Sequence, residues 1–539
     1  MANTTTKSIK YTVVFSILFA FLFVIPCFAQ KKKVEKAPPK GKQIEIVNGD
    51  NLTYDESRGG KVRKIIGNVV FKQEDVMMYC DSAYQYTDKN AIDAFGRVHI
   101  QQGDSLNLYG DTLRYDGDTK KAILSKNVRL SDKEMTLLTE HLLYDMNTKI
   151  GNYNGGGKIT NKDNTLTSKY GYYYSESKDF YFKKDVVLVN PDYTIYTDTL
   201  RHNTFTKISY FYGPTKIIAK NNFIYCENGW YNSVKDICQF NRNAYLKTDG
   251  QKFSGDSLFY DRKQGYGKAI KNVELVDSAE KIILNGELAE YFELLDKSVI
   301  TGKALLTQYF GGDTLFLHAD TLKSTYDTAY FRIKKQLEKL KKPAMPDSVA
   351  DNHRQLFAYN KVKFFKKDMQ GMCDSLVVNT GDSLMKMFDA PVLWSDSSQI
   401  TGDRIDIKNY SGKIDWLYIP NNSFIASKED SARYNQIKGK TMKGFFVNNE
   451  MKRLKVDGNG QVVYYVKENN GAYIGVNKAD CNNMMIYMKN NSVSKIAMLG
   501  KPSGAMHPYK ELSIEDLILK DFKWLDNRQP KKKSDIFIW

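Results

Sequence analysis

One seven-residue phrase, Gly110-Asp111-Thr112-Leu113-Arg114-Tyr115-Asp116, constrains the fold of this chain more than any other feature, because it keeps returning. It recurs as Thr139-Glu140-His141-Leu142-Leu143-Tyr144-Asp145, as Thr197-Asp198-Thr199-Leu200-Arg201-His202 and, nearly letter for letter, as Gly255-Asp256-Ser257-Leu258-Phe259-Tyr260-Asp261. The acidic position falls at Asp111, Glu140, Asp198, Glu227 and Asp256, and Lys169 fills the gap. These steps are multiples of about 29 residues, a period expected of architectures built by stacking units. Looser copies place further acids at Asp81, Glu287, Asp320, Asp374 and Asp403.

A second phrase lies midway between copies of the first, as in Gly67-Asn68-Val69-Val70-Phe71, Gly96-Arg97-Val98-His99-Ile100, Lys126-Asn127-Val128-Arg129-Leu130 and Lys271-Asn272-Val273-Glu274-Leu275. Each repeat therefore carries two short runs with period-2 alternation, which is the pattern of half-buried strands. Clusters such as Asp116-Gly117-Asp118-Thr119-Lys120 read as the turns between them. The fold class is all-β, an elongated antiparallel β-solenoid with two bent strands per repeat. With some two dozen strands at ~4.8 Å spacing, it would be a rod on the order of 100 Å long.

The recurring acid invites a catalytic or metal-binding reading, but side-chain parity favours a structural one. Leu106 and Leu108 share one parity and Leu113 and Tyr115 the other, with Gly110-Asp111 between them. Such a switch is what a bend or bulge produces when it re-aims alternate residues onto one side. Asp81, Asp111, Glu140, Asp198, Asp256, Asp320, Asp374 and Asp403 are read as bend residues accepting hydrogen bonds from backbone groups freed there. A bent strand keeps its apolar side chains inside at both halves. Stacked bends then make a trough, either closed as a dry core or open as an apolar groove.

The chain divides as follows. Residues 1–29 read as a secretory signal peptide, with Lys7 and Lys10 before an apolar run and Cys27-Phe28-Ala29 at the cleavage end. The alternative is a retained membrane anchor. Residues 30–43 are a basic disordered linker, 44–326 the regular solenoid, 327–357 a basic loop insertion with Pro343 and Pro346, and 358–500 a less regular continuation. The tail 501–539 has Ile514, Leu517, Ile518 and Phe522 at helical spacing and is expected to be a helical cap on the last rung.

The formal charge of +17 suits anionic partners such as lipid phosphates, or else reflects lysines on solvent-facing strand positions. Export and the lack of any nucleic-acid-binding motif argue against nucleic acid. Five cysteines remain after Cys27; of these, Cys226 and Cys238 flank a candidate hairpin and are a candidate disulfide. No metal-ligand spacing, nucleophile elbow, P-loop or dinucleotide fingerprint occurs, so no metal, cofactor or catalytic residue is expected.

The alternation of Gly-Asn-Val or Lys-Asn-Val phrases with Asp-Thr-Leu-x-Tyr-Asp phrases behind a signal peptide resembles the OstA/LptA family, most clearly from about Ile44 to Leu322. That family comprises periplasmic lipopolysaccharide-transport proteins and the N-terminal domain of the translocon LptD. The resemblance implies a β-jelly-roll, or taco, whose interior carries the acyl chains of lipid A. It also implies a periplasmic location with outer-membrane association, and partners of LptC-like and LptD-like type joined by end-strand addition or head-to-tail self-association. The chain departs from the family in being longer than a stand-alone bridge protein, and in having no room after Gly500 for a transmembrane barrel.

On this reading the protein is a non-catalytic lipid conduit lined by Val69, Phe71, Val98, Leu113, Tyr115, Val128, Leu142, Tyr144, Leu200, Leu258, Tyr260 and Val273. The rivals are an exported structural or adhesive rod with a closed core and, behind it, a carbohydrate-active enzyme on the same scaffold.

Overall fold

The computed structural model describes residues 42–54, 61–103, 106–131, 135–326, 353–395, 397–410, 413–468, 470–489, 492–508 and 511–539. The expected signal peptide, nearly all of the 30–43 linker and most of the 327–357 insertion lie outside them. The described chain is all-β, with 34 antiparallel strands in one sheet. From Val62–Gln73 to Met369–Asn379, each strand pairs with the one before and the one after it in chain order.

Every one of these strands is broken at mid-length by a bulge. Between Leu106–Asp116 and Lys121–Ser131, Tyr109 pairs with Arg129 and Thr112 with Ser125, so two residues stand opposite three. The cause is local. Two successive residues of the second phrase adopt left-handed backbone: Gly67 and Asn68, Gly96 and Arg97, Lys126 and Asn127, Lys271 and Asn272. The extra residue bends the strand and reverses side-chain parity, so apolar residues of both halves point into one core. Each strand thus contributes to two arms. The first arm holds Val69–Gln73, Val98–Gln102 and Leu106–Gly110; the second holds Val62–Ile66, Ala91–Phe95 and Thr112–Asp116.

The recurring acids sit outside this corner. Their partners are mainly side chains of the second left-handed residue on the next strand, rather than freed backbone groups. Asp111 accepts from Asn127 Nδ2 at 2.7 Å, Asp256 from Asn272 at 3.1 Å and Asp403 from Asn422 at 3.0 Å, and Asp81 pairs with Arg97. Asp320 pairs with Lys361, Asp198 accepts from the Thr199 hydroxyl, Asp374 accepts from the Ser375 hydroxyl, and Glu140 is exposed in the bulge opposite Gly155 and Gly156. At the repeat where Lys169 replaces the acid, its partner is Asp185, so the pair is charge-reversed and kept, at 2.8 Å. The left-handed pair itself carries the larger energy. Asn127→Val, which places a β-branched residue at φ 50°, is expected to destabilise by about 1–2 kcal/mol in urea unfolding, whereas Asn127→Gly is close to neutral.

Beyond Met369–Asn379 the two arms run as separate series of short strands. One passes through Leu384–Phe388, Arg404–Tyr410, Lys413–Ile419 and Thr441–Val447. The other passes through Val392–Ser395, Ser398–Thr401, Ser423–Lys428 and Tyr434–Gly439. Both rejoin on the single long strand Glu450–Lys467.

The tail is not the expected helical cap. Ser503–Pro508 is a strand paired with Tyr473–Lys489, and residues 511–539 form only short 3-10 turns, at Glu515–Leu517, Asp526–Arg528 and Lys533–Phe537, and run back across the outer face of the first arm. Its backbone is held by side chains. Gln436 accepts from Leu519 N–H and donates to Leu517 C=O, both at 2.9 Å. Gln399 does the same with Leu525 N–H and Lys523 C=O, both at 2.7 Å. Further along, Gln370 accepts from Gln529, Lys363 donates to Ile538 C=O, and Phe537 rests against His318. Backbone groups engaged by glutamines in this way are not free to close an α-helix. Leu517 and Leu519 bury themselves on Phe424, Ala426, Val463, Tyr465 and Val476 instead.

Candidate functional site

The space between the arms is the one large apolar compartment running along the described strands up to residue 326. Val69, Phe71, Val98, Leu113, Tyr115, Val128, Leu142, Tyr144, Leu200, Leu258 and Val273 all belong to its buried cluster. Tyr260 does not. It is half-buried, and its hydroxyl donates to Glu293. Burial and that carboxylate push its phenol pKa up to about 12, so the hydroxyl stays a neutral donor.

The compartment changes width along the chain. Corner residues stay buried from one repeat to the next, at Val69, Val98, Val128, Val186, Ala244, Val273 and Ala304. Side chains at the free end of the second arm do not. The tyrosine recurring there is 0 % exposed at Tyr115, 1 % at Tyr144 and 6 % at Tyr173, half-buried at Tyr231 and Tyr260, and 40 % exposed at Tyr291. The facing first-arm residues follow the same course, from buried Leu137, Leu166 and Ile195 to half-buried Ile224, Phe253 and Leu284. The free ends of the arms are therefore closely covered at the start and progressively less covered beyond about residue 193, while the corner stays packed.

At the tight end the arms are tied across the mouth. Tyr115 of the second arm donates its hydroxyl hydrogen bond to Gln73 Oε1 of the first, and Gln73 Nε2 donates to Gly117 C=O at 2.8 Å. Burial raises the Tyr115 phenol well above its ordinary pKa, so it remains protonated and a donor. The segment before the first strand also lies in this mouth. Ile44 N–H donates to Asn90 Oδ1 at 2.9 Å, and Ile44 C=O accepts from Gln85 at 2.8 Å. Between Leu130 and Phe182 the interior holds a void of about 10 Å³, no larger than one water needs. In the wide stretch the tip tyrosines turn aside to carboxylates on the turns, Tyr231 to Asp236 and Tyr260 to Glu293.

Gln73, Asn90, Ile224, Phe253, Leu284, Tyr231 and Tyr291 belong to this description but not to the residues picked from the sequence. Counting the tyrosine position through every repeat would have found the last two. Cys226 and Cys238 are not a disulfide. Both are free thiols, pushed up to about 12 and about 11 by burial. Cys226 lies at the corner, while Cys238 pairs with Tyr231, five residues further along that strand. At ~3.3 Å per residue the two are far beyond bonding reach. Among the described residues no group of three or more His, Cys, Asp or Glu is placed to hold a metal ion.

The model of the family described as OstA-like protein matches residues 41–198 and 192–256. Among solved structures, LptH, the LptA homologous periplasmic component of the conserved lipopolysaccharide transport device from Pseudomonas aeruginosa, aligns at 22% identity. The alignment covers 22% of this chain and 86% of that one with a TM-score of 0.20, a likeness too low to bear on the fold. No curated protein matches. Over residues 41–256, where its corner phrases are most regular, this chain is similar to the OstA-like protein family.

Proposed function

We propose that this protein is a non-catalytic periplasmic lipopolysaccharide carrier that shelters the acyl chains of lipid A between its two arms and passes the lipid toward the outer membrane. Its architecture on this reading is an elongated jelly-roll solenoid of about 29-residue repeats. The observation that carries the proposal is the loss of cover at the free ends of the arms along an apolar lining that runs from Ile195 and Leu200 to Leu284 and Leu322. The match of residues 41–256 to the OstA-like family supports it, as does the excess of lysine and arginine, 79 against 62 acids, which suits lipid phosphates.

Partners of LptC-like and LptD-like type, or a second copy, would add strands at the ends. Glu45–Asn48 and Asn51–Tyr54 pair on one side only, as does Ser503–Pro508, and they expose Val47, Leu52, Tyr54 and Met506. Unpaired edges of that kind accept a strand from another chain. A second reading, a structural rod with a closed core, draws on the filled interior before residue 182. Gel filtration of the full chain with stoichiometric lipopolysaccharide separates the two. Co-elution near one lipid per chain is expected; a folded chain that elutes without lipid supports the rod.

A further inference from the structure

Three features on the outside and inside of this fold remain unused by the proposed function: the narrowing of the mouth before residue 182, the tail strapped across the first arm, and a set of exposed apolar side chains on turns. The first and third belong together. In the tight stretch the second-arm turns are polar, as in Asp88-Lys89-Asn90, or fold their apolar residue inward, as Met146 does. Along the wide stretch three of the four corresponding turns, all but the polar Arg262-Lys263-Gln264-Gly265, hold apolar side chains out in solvent. Phe205 and Leu294 are almost fully exposed, and Val234 and Leu295 more than half. They stand on the rim of the same mouth whose lining residues Tyr231, Tyr260 and Tyr291 lose their cover.

Single exposed apolar residues occur elsewhere on the strands, but on the second-arm turns those more than half exposed stand beside the incompletely covered apolar trough, as on a surface awaiting an apolar occupant. A peptide strand would fit poorly, because the backbone groups of both arms are already paired with neighbouring strands and offer it no ladder. Hydrocarbon needs no such partners. The stretch comprises nine strands, from Tyr193–Asn203 to Asp313–Tyr326, and is on the order of 40 Å long at ~4.8 Å per strand. That is ample for several acyl chains lying across or along it.

We infer that the acyl-chain site is confined to residues 193–326, with Phe205, Val234 and Leu294 closing over the lipid. The stretch 62–182 is instead a sealed segment, shut by the Gln73–Tyr115 tie and by the chain's own residues 42–46. This inference rests on the lipid-carrier reading and sharpens it: lipid enters sideways through the mouth of the middle stretch, and the sealed segment positions that stretch without itself being filled.

The test is amide hydrogen exchange on the unmodified full chain, with and without saturating hexa-acylated lipopolysaccharide. Exchange is expected to slow at least tenfold in the turns 204–207, 233–236 and 293–296 and by less than twofold in the turns 87–90 and 117–120. A photo-crosslinking benzoylphenylalanine at Phe253 should label the lipid, and one at Phe71 should not; the exchange result stands even if the Phe71 variant misfolds. Slowing that is equal along the chain, or greatest in 62–182, with lipid bound, overturns the confinement and leaves the carrier reading intact. No slowing anywhere, together with no co-elution of lipid, overturns both.

Discussion

A chain ending at residue 510 should melt well below the full-length protein and bind a hydrophobic dye through its C-terminal half. The strap 511–539 covers an apolar stripe on the outer face of the first arm that includes Met372, Val392, Trp394, Phe424, Ala426, Val463, Tyr465 and Val476. Burying Leu517 and Leu519 alone is worth roughly 1.5–3 kcal/mol each, and the side chains they cover roughly double that. The total loss, on the order of 6–12 kcal/mol, rivals the whole stability of an ordinary domain. A gentler variant isolates the latch. In Gln399→Ala, Leu525 N–H and Lys523 C=O lose their partners, at a cost of about 1–3 kcal/mol. Unfolding curves of the truncated chain that superimpose on those of the intact one would show that the strap is an ornament.

The second large effect separates the two stretches of the interior. Leu113→Asp puts a carboxylate where the arms are packed shut, and it should cost more than about 4 kcal/mol and abolish cooperative unfolding of the N-terminal half. Phe253→Asp places the same group at the half-covered mouth, where water can reach it. It is expected to cost about 1–2 kcal/mol and leave the fold intact, but to reduce lipopolysaccharide binding at least tenfold. Urea unfolding followed by a binding assay on each variant reads both quantities. Equal destabilisation at the two sites would mean that the interior is uniformly filled and that no open stretch exists.

These two expectations mark what could and could not be read from the residues. The corner was legible because its chemistry is local: two residues able to adopt left-handed backbone, an acid one strand away and a parity switch between them. The inward face was legible for the same reason, and only Tyr260 among the chosen lining residues falls outside the buried cluster. Width was not. Tyr115, Tyr173 and Tyr291 occupy equivalent positions in their phrases, and what distinguishes them is how well they are covered, from 0 % to 40 % exposed. The strap was misread because Ile514, Leu517, Ile518 and Phe522 satisfy helical spacing, whereas the groups that decide its conformation are Gln399 and Gln436, far off in sequence. A glutamine reading another segment's backbone leaves no periodic signature. Cys226 and Cys238 misled in a related way, since closeness in sequence across a turn says nothing about register once a bulge intervenes.

The central claim, that an acyl-chain lipid occupies the space between the arms, is tested most directly by mass spectrometry of lipid copurified with the full chain from gently extracted envelopes. Lipid A or whole lipopolysaccharide in near-stoichiometric amount is the predicted result. A folded chain that carries no lipid and refuses added lipopolysaccharide would contradict it, and would leave a structural rod whose arms happen to part.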